Sequence, residues 1–163
     1  MKRDLLSVVR SINRPTLGED VPLLVFRAFR VFSGEYLKEV VGEKGSMVLF
    51  QNAGRELGKS LGVSMNHENL SAFLSDIGDF MKDSKIGLLI VDRMDGKEGV
   101  LRIEECITCS GMQPVGARIC HFEAGFVAGV LESFFGKRVK ATETKCNAMG
   151  EGVCEITVEV RDA

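Results

Sequence analysis

The apolar residues of this chain change period twice, and the change limits what it can fold into. Over residues 66–85, Leu70, Phe73, Leu74, Ile77, Phe80 and Met81 recur at helical spacing. At Ile86 the pattern becomes that of strands. "IGLLIVDR" is a short apolar run, "MDGKEG" a turn signal, and "VLRIEECI" alternates, which predicts Leu101, Ile103 and Ile107 on the core face. The helical period returns through Ile119, Phe122, Phe126, Val130 and Phe134, with Gly136 as the natural C-cap. Two strands follow, "RVKATETKC" and "VCEITVEV"; in the second, Cys154, Ile156, Val158 and Val160 share one face.

Two helices are expected ahead of these elements. In residues 15–42, Asp20 can cap a helix with Pro22 in its first turn. Leu24, Phe26, Phe29, Val31, Phe32, Tyr36 and Val40 then cover more than one face, so this helix needs a second partner and is the expected subunit contact of a homodimer. Residues 45–62 read as a second helix in which Gly54, Gly58 and Gly62 line one face. Each interior glycine costs about 1 kcal/mol against alanine, and close approach of another backbone would account for it. The alternative is that Gly62 is only a C-cap and Gly54 a tolerated accident. Asn66 or Asn69 caps the third helix. Gly125 and Gly129 make another small face. The order is ααα-ββ-α-ββ, an α+β fold with a four-stranded antiparallel sheet and helices packed on it, in one domain over residues 1–163.

The chain has 163 residues, 45% hydrophobic and 27% charged, with net charge −2. Nothing resembles a basic stripe, so nucleic acid is not an expected partner. No uncharged apolar run reaches membrane-spanning length, and "MKRDLLSVVRSINRP" carries charges through its apolar part, so neither a membrane span nor a leader is expected. A cytoplasmic setting follows. There, five cysteines read as thiols, metal ligands or redox groups rather than as disulfides.

Two of the five flank one hairpin, in "ETKCNAMGEGVC". Cys146 ends a strand and Cys154 begins the next, so both thiolates can reach one ion. Glu143, three residues before Cys146, can join them only if the strand bulges or ends near Lys145. A closed tetrahedral site needs a fourth donor. Cys120, in the first turn of the last helix, is one source; the other is the pair Cys106 and Cys109, spaced C-x2-C. Spacing alone leaves a metal site and a set of small buried residues both open. His121 adjoins Cys120, but neighbouring helical residues point about 100° apart, which favours a surface or pocket position over ligation. His67 is expected to face solvent.

The segment "CHFEAGFVAGVLESFFGKRVKATETKCNAMGEGVC" resembles the C-terminal half of the 4-vinyl reductase domain family. The shared features stand in order at Cys120, Gly125, Gly129, Phe135-Gly136, Glu143, Cys146, Gly150 and Cys154; "NAGRELGKSLG" and "LRIEECI" extend the likeness over most of residues 15–160. The resemblance implies a fold like that of the small subunits of the TRAPP vesicle-tethering complexes, a tendency to dimerise and, as in the sensor domains of aromatic-responsive activators, a buried ligand pocket with a structural zinc. The zinc ligands it implies are Cys120, Glu143, Cys146 and Cys154, within a metal-binding half at 116–160. Cys106 and Cys109 lie outside that pattern and are read as residues near the site. This chain has no tryptophan and only His67 and His121, so the ligand contacts of the aromatic sensors do not transfer. Iron stays open beside zinc.

The leading expectation is therefore a small-molecule binding domain, regulatory or sensory, for a hydrophobic or aromatic ligand. Its cleft is placed between the sheet and the helices at 66–85 and 116–135, with Phe73, Phe80, Phe122 and Phe126 as wall residues; for each alone, ordinary core is the competing reading. Two alternatives stand beside it: a subunit of a vinyl (tetrapyrrole) reductase, and an assembly protein like the tethering subunits. "GMQPVG" is not a dinucleotide fingerprint and no catalytic constellation is visible, so no catalytic residue is assigned.

Overall fold

Gly42 turns the first half of the chain back on itself. In the computed structural model, which describes residues 5–65 and 67–162, a short helix α1 (Leu5–Arg10) precedes α2 (Leu23–Ser64). Within α2, Gly42 has φ 76° and ψ 166°, a conformation that side chains disfavour. The two halves of α2 run beside one another: Ser46 Oγ donates to Gly34 O at 3.3 Å, and the Arg30 guanidinium lies 3.6 Å from the Phe50 ring centroid. The two expected helices are thus the arms of this hairpin. Asp20 does not cap the first of them. Pro22 holds the N-cap position without a side-chain bond, and Asp20 pairs with Lys85 Nζ at 2.9 Å.

Helix α3 (Leu70–Asp83) is capped by Asn69, whose side chain accepts from Ser71 N and Ala72 N at 2.8 and 3.2 Å; Asn66 lies outside the described residues. The strands are β1 (Leu88–Met94), β2 (Glu98–Glu104), β3 (Arg138–Lys145) and β4 (Cys154–Arg161), with α4 (His121–Phe135) between the two hairpins. They form one antiparallel sheet in the order β1-β2-β4-β3. Leu101, Ile103, Ile156 and Val158 face the core as their alternation requires.

Strand β2 ends sooner than its alternation suggests, and Ile107 is not on the buried face. Continuing the pattern would drive Glu105 inward. Instead Glu105 takes a left-handed turn, φ 50°, which shifts the phase by one residue and turns Cys106 fully inward.

Helix α4 is buried on every side from Glu123 to Glu132, between the C-terminal arm of α2 and the sheet. The glycine faces explain how it fits. A Cβ on Gly54 or Gly58 would overlap the carbonyl of Phe122 or Phe126. One on Gly125 or Gly129 would overlap that of Gln51 or Arg55. The close approach is mutual, so these glycines leave no room for a ligand. Glu132 locks the same joint: it pairs with Arg55 and with Lys59 Nζ at 2.7 Å, and accepts from Val139 N at 3.0 Å.

Candidate metal centre and adjoining pocket

All five cysteines are buried, none is in a disulfide, and all five converge below the N-terminus of α4. Three local events bring them there. The Glu105 turn aims Cys106 and the following Cys109 inward. Cys120 holds the N-cap position of α4, one residue before the helix proper. The β3–β4 register shifts between Glu143 and Lys145, the irregularity that lets Glu143 and Cys146 reach the same side.

The donors form two sets. The Sγ atoms of Cys106, Cys109, Cys120 and Cys154 lie within 4.8 Å of one another, and so do the donor atoms of Cys120, Glu143 and Cys146. Cys120 belongs to both, with its sulfur 3.7 Å from that of Cys106 and 3.8 Å from that of Cys146. A disulfide needs about 2.05 Å, so these are neighbouring donors, not bonded ones. The motif residues Cys120, Glu143, Cys146 and Cys154 are therefore all in the cluster, but Cys154 sits in one set and Glu143 and Cys146 in the other. Cys106 and Cys109 are full members, which spacing did not reveal; the sequence signal was that Glu105 cannot continue β2 into the core.

The cluster's electrostatics are those of crowded donors. Glu143 Oε2 accepts from Cys120 N at 3.0 Å, while Glu143 Oε1 is buried without a hydrogen-bond partner. Burial, followed by the Cys146 thiol, pushes its carboxyl up to about 9. Hydrogen bonds from Cys109, Cys120 and Cys154 hold the Cys106 thiol far below its ordinary range, whereas Cys106 and Cys109 push Cys120 up. One ionised thiol thus opposes ionisation of the next, and a buried cation is what would let several ionise together. Asn147 Nδ2 also donates to Cys109 Sγ at 3.8 Å.

Beside the cluster lies a pocket of about 310 Å³, between the arms of α2 and the segment 108–119. Val31, Phe50 and Ile119 supply apolar wall; Arg30, Thr108 and His121 bring polar groups. Arg30 is 8% exposed and donates to Ile119 O at 3.3 Å. Thr108 donates to buried Glu123, whose carboxyl burial raises and the Arg30 charge partly restores. His121 lies with Nδ1 3.7 Å from Glu143 Oε2, and burial, then Arg30, lowers its pKa. The expected phenylalanines are elsewhere. Phe73 and Phe126 are closed into the core, Phe73 against Phe134 at 5.1 Å between centroids. Phe80 packs at the edge of the core, and Phe122 lies 5.9 Å from Arg30. None of the four is in the pocket lining. His67 is half-buried and bonds Asp76 Oδ2 at 2.6 Å. A more open groove of about 740 Å³ runs between α3 and β1, but no buried polar side chain converges on it.

Comparison with known proteins places this arrangement. The vinyl-4-reductase domain model matches residues 100–160, which include the whole cluster. An uncharacterised protein of Methanocaldococcus jannaschii is 32% identical over 165 residues, covering 99% of this chain and 90% of that protein. The chain belongs to the vinyl-4-reductase domain family. Three solved structures share the fold seen here. A vinyl-4-reductase family protein of Methanocaldococcus jannaschii has a TM-score of 0.61 at 20% identity, covering 99% of this chain and 98% of that one. The phenol-responsive sensory domain of the transcription activator PoxR, solved with phenol, reaches 0.66 at 17%, covering 96% and 88%. A trafficking protein particle complex subunit 3 from Naegleria fowleri, covalently bound to palmitic acid, reaches 0.65 at 16%, covering 86% and 95%. No helix among the described residues of this vinyl-4-reductase domain is long and apolar enough to cross a membrane.

Proposed function

We propose that this vinyl-4-reductase domain is a regulatory or sensory binding module that takes a small hydrophobic or aromatic molecule into the pocket beside α2 and holds a structural zinc ion in the cysteine cluster. One observation carries the reading. Thr108, Met112, Val115, Ala117, Arg118 and Ile119 all line the pocket, and all lie on the segment whose ends, at Cys106 and Cys120, are members of the cluster. A metal there would set the position of one pocket wall. The phenol of PoxR and the palmitic acid of the trafficking subunit are consistent with such a use of the fold.

The residues fit zinc. A Zn–S bond of about 2.3 Å makes the edge of a tetrahedral thiolate site about 3.8 Å, which the two sulfur separations at Cys120 match. Glu143 Oε1, buried and unpartnered, is a donor without a recipient until a cation binds. Thiolates filling the coordination sphere suit a staple rather than a Lewis acid, and five free thiols suit a reducing compartment such as the cytoplasm.

The N-terminal arm of α2 supports a second element of the proposal, a homodimer. Phe29, Phe32, Tyr36 and Val40 lie on it between 63% and 80% exposed, an apolar ridge that a second copy would cover. The same ridge suits an assembly role.

The pocket is tested with phenol, benzoate and indole as probes in calorimetric titrations of the zinc-loaded protein. Ile119→Trp, which fills the cavity, is expected to abolish binding of whichever probe the wild type takes while zinc content stays unchanged. Undiminished binding would overturn the pocket assignment.

A further inference from the structure

The two donor sets share one atom, Cys120 Sγ, and between them use every cysteine of the chain and Glu143. We propose that the cluster is a two-ion centre. One zinc ion sits on Cys106, Cys109, Cys120 and Cys154, a second on Cys120, Cys146 and Glu143, and the Cys120 thiolate bridges them. This rests on the zinc reading above and extends it.

A single tetrahedral ion takes four donors and leaves two behind. If it takes the four-cysteine set, Cys146 and Glu143 remain, the first fully buried and the second 7% exposed, with Glu143 Oε1 still bare. If it takes the motif residues, Cys106 and Cys109 remain, both fully buried. A second ion leaves no donor over. Charge argues the same way. Two divalent ions offset four of the six negative charges that five thiolates and a carboxylate carry, and the Arg30 guanidinium, itself buried, lies near enough to act on Cys120, Cys106 and Glu143. Each ion displaces thiol protons to solvent as it binds.

The two positions differ in kind. The first has four protein thiolates and is closed. The second has three protein donors, which leaves a position for water or for the Lewis-basic head group of a pocket ligand, such as a thiol or a phenolate. His121 stands at this junction, lining the pocket and adjoining Glu143.

The test is a titration of the metal-free, reduced protein with zinc(II) alone, read by native mass spectrometry and calorimetry. Two zinc ions per chain are expected, the second bound more weakly. Cys146→Ser should retain one. Glu143→Gln keeps the size and an oxygen acceptor for Cys120 N–H, so it serves where the cysteine variant fails to fold; it should weaken the second site at least tenfold and leave the first unchanged. One zinc in the wild type overturns the two-ion centre and leaves the zinc reading standing, whereas none overturns both. Two ions held equally tightly by both variants also overturn the proposal, because the second would then lie elsewhere.

Discussion

Cys106 and Cys120 lie 14 positions apart in the chain, yet their sulfurs are 3.7 Å from one another, and the segment between them is a wall of the pocket. The wall has further ties. Arg27 donates to Ile107 O at 2.8 Å and to Ser110 O at 2.6 Å, and Val115 N bonds Ala148 O at 2.8 Å, in the turn between Cys146 and Cys154. The cluster and the pocket are thus parts of one unit, and changes at the sulfurs should be felt by whatever binds in the pocket.

Cys120→Ser should be the most damaging single change in the cluster, because Cys120 is the donor common to both sets. Losing about 3 kcal/mol of metal linkage lowers the melting temperature of a chain this size by roughly 6–12 °C. Calorimetry with and without zinc checks this. A variant that melts like the zinc-loaded wild type would show that the cluster is not a staple.

Gly58→Ala tests the joint between α2 and α4. In an open helix the change is worth about 1 kcal/mol in favour of alanine. Here the new methyl meets the Phe126 carbonyl, and overpacking of this kind costs about 1–3 kcal/mol. Net destabilisation is expected in urea unfolding. Gly78→Ala is the internal control, since a Cβ there meets only Leu89 Cβ at 3.9 Å, and it should be neutral or stabilising.

Glu132 links the joint to pH. Burial alone would raise its pKa, but Lys59, the Val139 N–H and Arg55 outweigh burial and hold it below the ordinary range. A carboxylate with a depressed folded-state pKa stabilises the fold above its unfolded pKa of about 4.3, and that contribution disappears as pH falls through the folded value. Glu132→Gln should therefore be about 2 kcal/mol less stable at pH 7, at the low end for a buried pair because Lys59 can still reach water. The gap should close below about pH 4. A gap independent of pH would mean that packing, not charge, is responsible.

The exposed ridge on α2 predicts an oligomer. Light scattering should give the wild type as a dimer and Phe32→Asp as a monomer, with zinc content unchanged. A wild-type monomer at micromolar concentration would remove the dimer from the proposal.

Much of this arrangement could be read from local pattern. The spacing of Gly54 with Gly58 and of Gly125 with Gly129 announced a close helix contact, and Glu143 with Cys146 required the bulge that β3 has. What escaped was set by single backbone turns and by distant pairings. Alternation ran through Glu105 to Ile107, and only the left-handed turn at Glu105 brings Cys106 and Cys109 to the cluster. The pocket was sought among phenylalanines at helical spacing, which the core absorbs. Its real walls meet only because Gly42 folds one arm of α2 beside the other and the cluster gathers the segment after Cys106, neither of which leaves a periodic signal.

Hydrogen exchange over residues 107–119, with zinc bound and after chelation, tests most directly whether the metal holds the pocket wall. Amides of this segment should be protected in the zinc-loaded protein and exchange at least tenfold faster without it, while the core of α4 changes little. Equal exchange in the two states would contradict the link between metal and pocket.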